Sequence, residues 1–312
     1  MGLIKGKKVH DWAEIVVNPY ESNESKLRKG LLIQGPWVDD FEEIIEEHHI
    51  TALYLNSAHG WKSGDYSFLR RLRSIEELLI LSTNSEGLEA LESMVKLQEL
   101  SITTNTTSVV DFTRLPLLKK CFLNWWVGAS SIFHSTSLEN MYLDEVKLAS
   151  WADVIFPSSL IKLAIGNSNL DDLSFVKGIP ALTRLDLNNC KKIIDFTPLE
   201  DLHALKWLTI YGNKNIGDFD FIVHMPDLEV LQISNAGEIK TLRPISNASN
   251  LKAFAFDGST NILDGDLSVL KNLKKLSMLM FTPRKHYTHK LVRVWNWKDF
   301  GTPRELLVSK ER

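Results

Sequence analysis

Leu205-Lys206-Trp207-Leu208-Thr209-Ile210-Tyr211-Gly212-Asn213 carries apolar residues at its first, fourth and sixth positions. Leu208 and Ile210 alternate with Trp207, Thr209 and Tyr211, which is the period-two pattern of a strand. The apolar residues therefore face one way and the intervening residues the other. Asn213 follows eight residues after Leu205. Its amide can satisfy backbone groups where the chain turns out of the strand. Beyond it, Asp218-Phe219-Asp220-Phe221-Ile222 sets a short acidic residue before an apolar pair, which reads as the cap of one helical turn. Asp111-Phe112, Asp172-Leu173 and Asp195-Phe196 repeat the device, and Thr241-Leu242 varies it.

The same apolar–x–x–apolar–x–apolar unit starts at Ile50, Ile75, Leu97, Leu118, Leu138, Leu160, Leu182, Leu205, Leu228, Leu251 and Leu273. The gaps between starts are 25, 22, 21, 20, 22, 22, 23, 23, 23 and 22 residues. A period in the twenties means stacked supersecondary units rather than a closed globule. The spacing predicts an α/β solenoid of about eleven or twelve parallel strands, each about 4.8 Å from the next. Its core would hold Leu163, Ile165, Leu185, Leu187, Leu208, Ile210, Leu231, Ile233, Phe254 and Phe256.

The unit resembles a leucine-rich repeat of the short bacterial type, internalin-like and close to the SDS22-like class. The resemblance is strongest from Leu160 to Leu273. From Ile50 to Val146 it is weaker, because Trp126 and Val146 stand where the asparagine belongs. It implies parallel strands on a concave face, short 3₁₀ turns on the convex face, and function by binding other proteins.

Three parts are expected: an N-terminal cap over 1–27 with a strand around Ile15-Val16-Val17, a repeat array over 28–280, and a C-terminal cap and tail over 281–312. A solenoid must hide both open ends of its core. Arg28 lies twenty-two residues before Ile50 and opens a degenerate first repeat; Phe41 to Ile45 has helical spacing. At the far end the run Lys290 to Phe300, with Trp295 and Trp297, is expected to cover the last repeat.

Composition excludes several classes. The net charge of −3 argues against a nucleic-acid partner. No apolar run reaches the length of a membrane span. His10, Asp11 and Glu14 interrupt the place where a secretory signal would sit. Cys121 and Cys190 fall three repeats apart, about 14 Å by strand spacing. A disulfide needs Cα atoms within about 7 Å, so two free thiols and a reducing cytoplasm are expected. Asn105, in a glycosylation sequon, falls where its repeat would turn the asparagine inward, which also disfavours secretion.

Catalytic patterns are lacking. His48-His49 and His286…His289 do not form H-E-x-x-H, and neither a phosphate loop nor a G-x-S-x-G elbow is present. Cys121 has inward register, which makes it a poor nucleophile. No catalytic residue, metal or cofactor is expected.

The outward strand residues remain. In the central position they read Leu32, Tyr54, Leu79, Ser101, Phe122, Tyr142, Ala164, Asp186, Thr209, Gln232, Ala255 and Ser277. Tyr54, Leu79, Leu81, Phe122 and Tyr142 would form an apolar row, with Trp125, Trp207 and Tyr211 as further contacts. Exposed apolar rows mark contact sites, and Tyr and Trp dominate interface energetics. The alternative is a row packed under the N-terminal segment. Asp144, Glu145, Asp186 and Asp257 add negative charge. The expected function is a cytoplasmic, non-catalytic module that binds a partner protein, with the narrower version an immunity protein against a toxin. The alternative is an enzyme, or its substrate-recognition subunit, with an unfamiliar site.

Overall fold

The computed structural model describes residues 6–17, 28–291 and 307–309. They fall into two compact units, Met1–Met141 and Tyr142–Arg312. Trp295 and Trp297, most of the expected C-terminal cover, and the sequon at Asn23 lie outside the described residues.

The first unit opens with β1 (Lys7–His10) and β2 (Ala13–Val17), an antiparallel pair. β2 runs antiparallel to β3 (Lys29–Ile33). From β3 onward every pair is parallel: β4 (Ala52–Asn56), β5 (Glu77–Asn84), β6 (Glu99–Asn105) and β7 (Lys120–Asn124). Leu31, Leu53, Leu78, Leu100 and Cys121 share one register position and all are buried. Between β3 and β4 the helical spacing at 41–45 becomes α1 (Asp40–Glu47), which buries Phe41 and Ile45. The later connections are short 3₁₀ turns such as Phe112–Arg114, where the Asp111 carboxylate accepts the Thr113 N–H at 3.1 Å. β8 (Asn140–Asp144) is divided between the two units.

The second unit carries β9 (Lys162–Gly166), β10 (Arg184–Asn188), β11 (Trp207–Tyr211), β12 (Val230–Ser234), β13 (Glu238–Ile239), β14 (Ala253–Phe256), β15 (Asn261–Ile262) and β16 (Met278–Phe281). β9, β10, β11, β12, β14 and β16 form one parallel ladder in that order, and β13 pairs with β15 separately. β17 (His289–Leu291) and β18 (Leu307–Ser309) pair antiparallel. Leu163, Leu185, Leu208 and Leu231 are in register and fully buried. Burying each stabilises the fold by about 1.5–3 kcal/mol. Asn213 does what its position predicts: its amide donates to Cys190 O at 2.7 Å and Ile193 O at 3.0 Å. The strands exit through left-handed residues at Glu145, Asn167, Asn189, Gly212, Asn235 and Gly258. Gly212 suits that conformation and leaves room for Asn189 Oδ1, which a Cβ would displace.

Two expectations need correction. The final repeat starts at Leu276 rather than Leu273, because Phe254 pairs with Leu279 and Phe256 with Phe281. Met280, not Ser277, therefore stands in the central outward position. Leu267, Leu270, Leu273, Leu276 and Leu279 recur every three residues. That run fits the repeat at more than one phase, and pairing with β14 selects the later one. Asn105 is exposed, and Thr104 turns inward instead. Its hydroxyl joins Ser85 at 2.8 Å and Ser82 at 3.0 Å. A glycan at Asn105 would therefore not clash with the core, contrary to expectation.

Candidate partner-binding surface

The residues expected to face outward have different fates in the two units. In the first, Tyr54 is only 4% exposed, against its expected place on an open row. It belongs to a second apolar cluster with Val16, Leu32 and Ala52, and half-buried Leu79 packs against it. The ring lies so close over Gly30 that any side chain there would collide with it. The phenol O–H donates to Glu77 Oε1 at 3.1 Å. Burial, with the Glu77 carboxylate beside it, raises the phenol well above its ordinary pKa.

Arg28 crosses this part of the face. Its guanidinium reaches Glu77 at 3.2 Å, Glu99 at 3.0 Å, Gln98 at 3.3 Å and Glu76 at 3.6 Å. Lys120 adds a bond to Glu99 at 2.9 Å. Burial pushes the Glu77 carboxyl up despite the Arg28 bond. At Glu99 burial acts the same way, but the hydrogen bonds from Lys120 and Arg28 outweigh it and hold that carboxyl below the usual range. Sequence reasoning passed over this network. The signal was a cation at a position that every later copy fills with Ile or Leu.

Leu81 is half-buried, whereas Phe122 is 50% exposed. The adjacent indoles separate. Trp126 is buried and donates to Ser108 O at 2.7 Å; Trp125 is half-buried against Phe133, with ring centroids 5.5 Å apart.

In the second unit Tyr142 is half-buried, and burial followed by the nearby Asp144 and Asp186 carboxylates raises its phenol pKa. Trp207 is held on both sides. Its indole N–H donates to Thr209 Oγ1 at 3.0 Å, and the Arg184 guanidinium lies 4.2 Å from the ring centroid. Arg184 is in turn fixed by Asp186 at 2.6 Å. Tyr211, on the same strand, is 39% exposed. Trp207 and Arg184 are thus held in place before any contact is made.

Both cysteines are free and buried. Burial raises the Cys121 thiol far above its ordinary value and pushes Cys190 up to about 12. Neither supplies a thiolate near neutral pH. Among the described residues no helix is long and apolar enough to cross a membrane, and no His, Cys, Asp or Glu triplet is grouped to hold a metal ion.

No protein-family model matches the chain, and no curated protein matches it. Solved structures do. The chain is similar to an internalin, InlF, of Listeria monocytogenes at 26% identity and a TM-score of 0.63, over 77% of this chain and 68% of that one. A Leptospira interrogans leucine-rich-repeat protein matches at 18% identity and a TM-score of 0.53, over 81% and 77%. The functional domain of InlJ from Listeria monocytogenes matches at 18% identity and a TM-score of 0.51, over 77% and 55%. The last two bear on the fold alone.

Proposed function

On the premise that this chain is a leucine-rich-repeat protein with repeats like those of the internalins, we propose that it is a non-catalytic module. It binds a partner protein through outward residues of its parallel strands. One observation carries this reading. Of the exposed large apolar side chains among the described residues, only Phe122 and Tyr211 are aromatic, and both stand in outward positions on parallel strands. Leaving such rings in water is unfavourable by about 25 cal/mol per Å² of apolar surface, which a partner would recover. Leu79, Leu81, Trp125, Tyr142 and Trp207 extend the contact. Tyr54 packs beside Leu79 on the adjacent strand.

A cytoplasmic location belongs to the same proposal, supported by two buried unpaired thiols. So does the narrower role of an immunity protein that occludes a toxin, for which a toxin gene beside this one would be the test. The enzyme alternative is weakened because the one thiol it considered is fully buried and protonated.

The test is partner capture with purified variants. Phe122→Ala and Tyr211→Ala should each weaken retention of the captured protein by about 2 kcal/mol, while Glu200→Ala on a 3₁₀ turn should not. Normal retention by the folded double aromatic variant would move the contact to another surface.

A further inference from the structure

Beyond Trp207 the outward face of the second unit changes character. Register aligns Trp207, Val230, Ala253 and Met278 in one row, and Thr209, Gln232, Ala255 and Met280 in the next. None of the eight is charged. β14 offers only methyl groups, at Ala253 and Ala255, between the longer side chains of β12 and β16. The result is a shallow trough with a floor of alanines, walled by Val230 and Gln232 on one side and by Met278 and Met280 on the other. All six are half-buried rather than covered.

The rim where these strands begin is basic. Lys206 and Lys252 immediately precede β11 and β14, and Lys275 precedes β16. All three are exposed. One carboxylate, Glu229, stands between Lys206 and Lys252 on the neighbouring strand starts. Lys252 Nζ binds it at 2.7 Å, and the hydrogen bond from Lys252, with the charges of Lys252, Lys206 and Lys275, holds its pKa down. Lys275 is anchored to Asn250 Oδ1 at 2.5 Å. Three exposed lysines against Glu229 make this rim positive beside an uncharged floor.

We propose that the trough over β14 receives an extended segment of the partner protein with alternating apolar side chains that ends in carboxylates. The apolar side chains sit over Ala253 and Ala255, between the methionines and Val230. The carboxylates sit at the lysine rim. Methionine walls suit this, because their unbranched thioethers adapt to an entering side chain. The inference rests on the partner-binding reading and adds the chemistry of what binds.

The test uses the full chain and two fluorescein-labelled peptides, acetyl-Leu-Ser-Leu-Ser-Leu-Asp-Asp-amide and its twin ending in Lys-Lys. The acidic peptide should bind at least about tenfold more tightly, and the preference should fade as salt screens the rim. The doubly substituted chain Lys252→Glu, Lys275→Glu should reverse the preference without altering the unfolding midpoint. Ala255→Asp should abolish binding of the acidic peptide, whereas Glu200→Ala on a 3₁₀ turn should leave it unchanged. Equal binding of the twins, no binding of either at about millimolar peptide, or indifference to charge reversal would overturn the proposal. So would a dimer broken by Ala255→Asp, which would assign the trough to a second copy. Peptide binding that emerges only when 292–306 is replaced by a glycine–serine linker would assign it to the chain's own segment, with the same consequence. If the peptides fail while Phe122→Ala and Tyr211→Ala still lose the captured partner, this inference falls and the broader reading stands. If those variants retain the partner while the peptide preferences hold, the aromatic contact falls and the trough stands as the partner's surface.

Discussion

In the first unit, β3 to β6 have much of their outward face taken up by packing and ion pairs, whereas β7 and the second unit's β11 each leave an aromatic ring exposed. In the first, Tyr54 is buried over Gly30 and its hydroxyl is spent on Glu77. Arg28 ties together carboxylates from β5 and β6. In the second, Trp207 is pinned without being covered and Tyr211 remains exposed. An aromatic residue at an outward repeat position is thus not one kind of residue. Tyr54 is packed where neighbours cover it, and Phe122 and Tyr211 stay exposed where they do not.

Mutations can break or sharpen that contrast. The largest effects should come from the shared core, which behaves alike in both units. Leu208→Ala and Leu185→Ala should each lose about 2–5 kcal/mol in urea unfolding, with loss spreading to adjoining repeats. Tyr54→Ala should rank with them, at about 3 kcal/mol, because it empties a buried site and removes one of the donors to Glu77. A Tyr54→Ala variant near wild-type stability would erase the distinction between the two faces.

Arg28→Ala should come next, at about 1–2 kcal/mol, since it removes the cation shared by half-buried carboxylates but leaves them partly hydrated. Acid titration resolves the pair it bridges. Glu99, with its pKa held down in the fold, adds stability above the ordinary carboxylate pKa, and that stability is lost as pH falls through the folded value. Glu77, with its pKa raised, adds stability below the ordinary value, and that is lost as pH rises through the folded one. Unfolding free energies measured from neutral pH down to about pH 3 should therefore fall less steeply in Glu99→Gln than in wild type. They should fall more steeply in Glu77→Gln. Parallel profiles for all three would contradict the network.

The smallest effect on stability should belong to the residues with the largest proposed effect on binding. Phe122→Ala and Tyr211→Ala should stay within about 0.5 kcal/mol of wild type by thermal or chemical unfolding. Unfolding of either would place that ring in the core and remove it from the candidate surface.

Much of the fold was legible because burial in a repeat is periodic. The inward leucines, the asparagine at Asn213 and the aspartate caps recur at fixed spacing, and each has one local job. The misplaced last repeat shows where that reading fails: five leucines at period three satisfy the pattern in more than one phase, and only pairing with β14 chooses between them. Asn105 fails for a related reason. β6 runs two residues longer than a standard five-residue strand, so the inward turn is taken by Thr104.

The candidate surface was legible only as a set of outward positions. By itself the sequence determined which side chains enter the core, because alternation and period bind each residue to its own strand. Tertiary structure alone decided what became of the others. Whether Tyr54 is covered, whether Arg28 spans to Glu99, and whether Arg184 stacks on Trp207 are contacts between repeats. They depend on what the next strand presents, and no period within a single repeat encodes that.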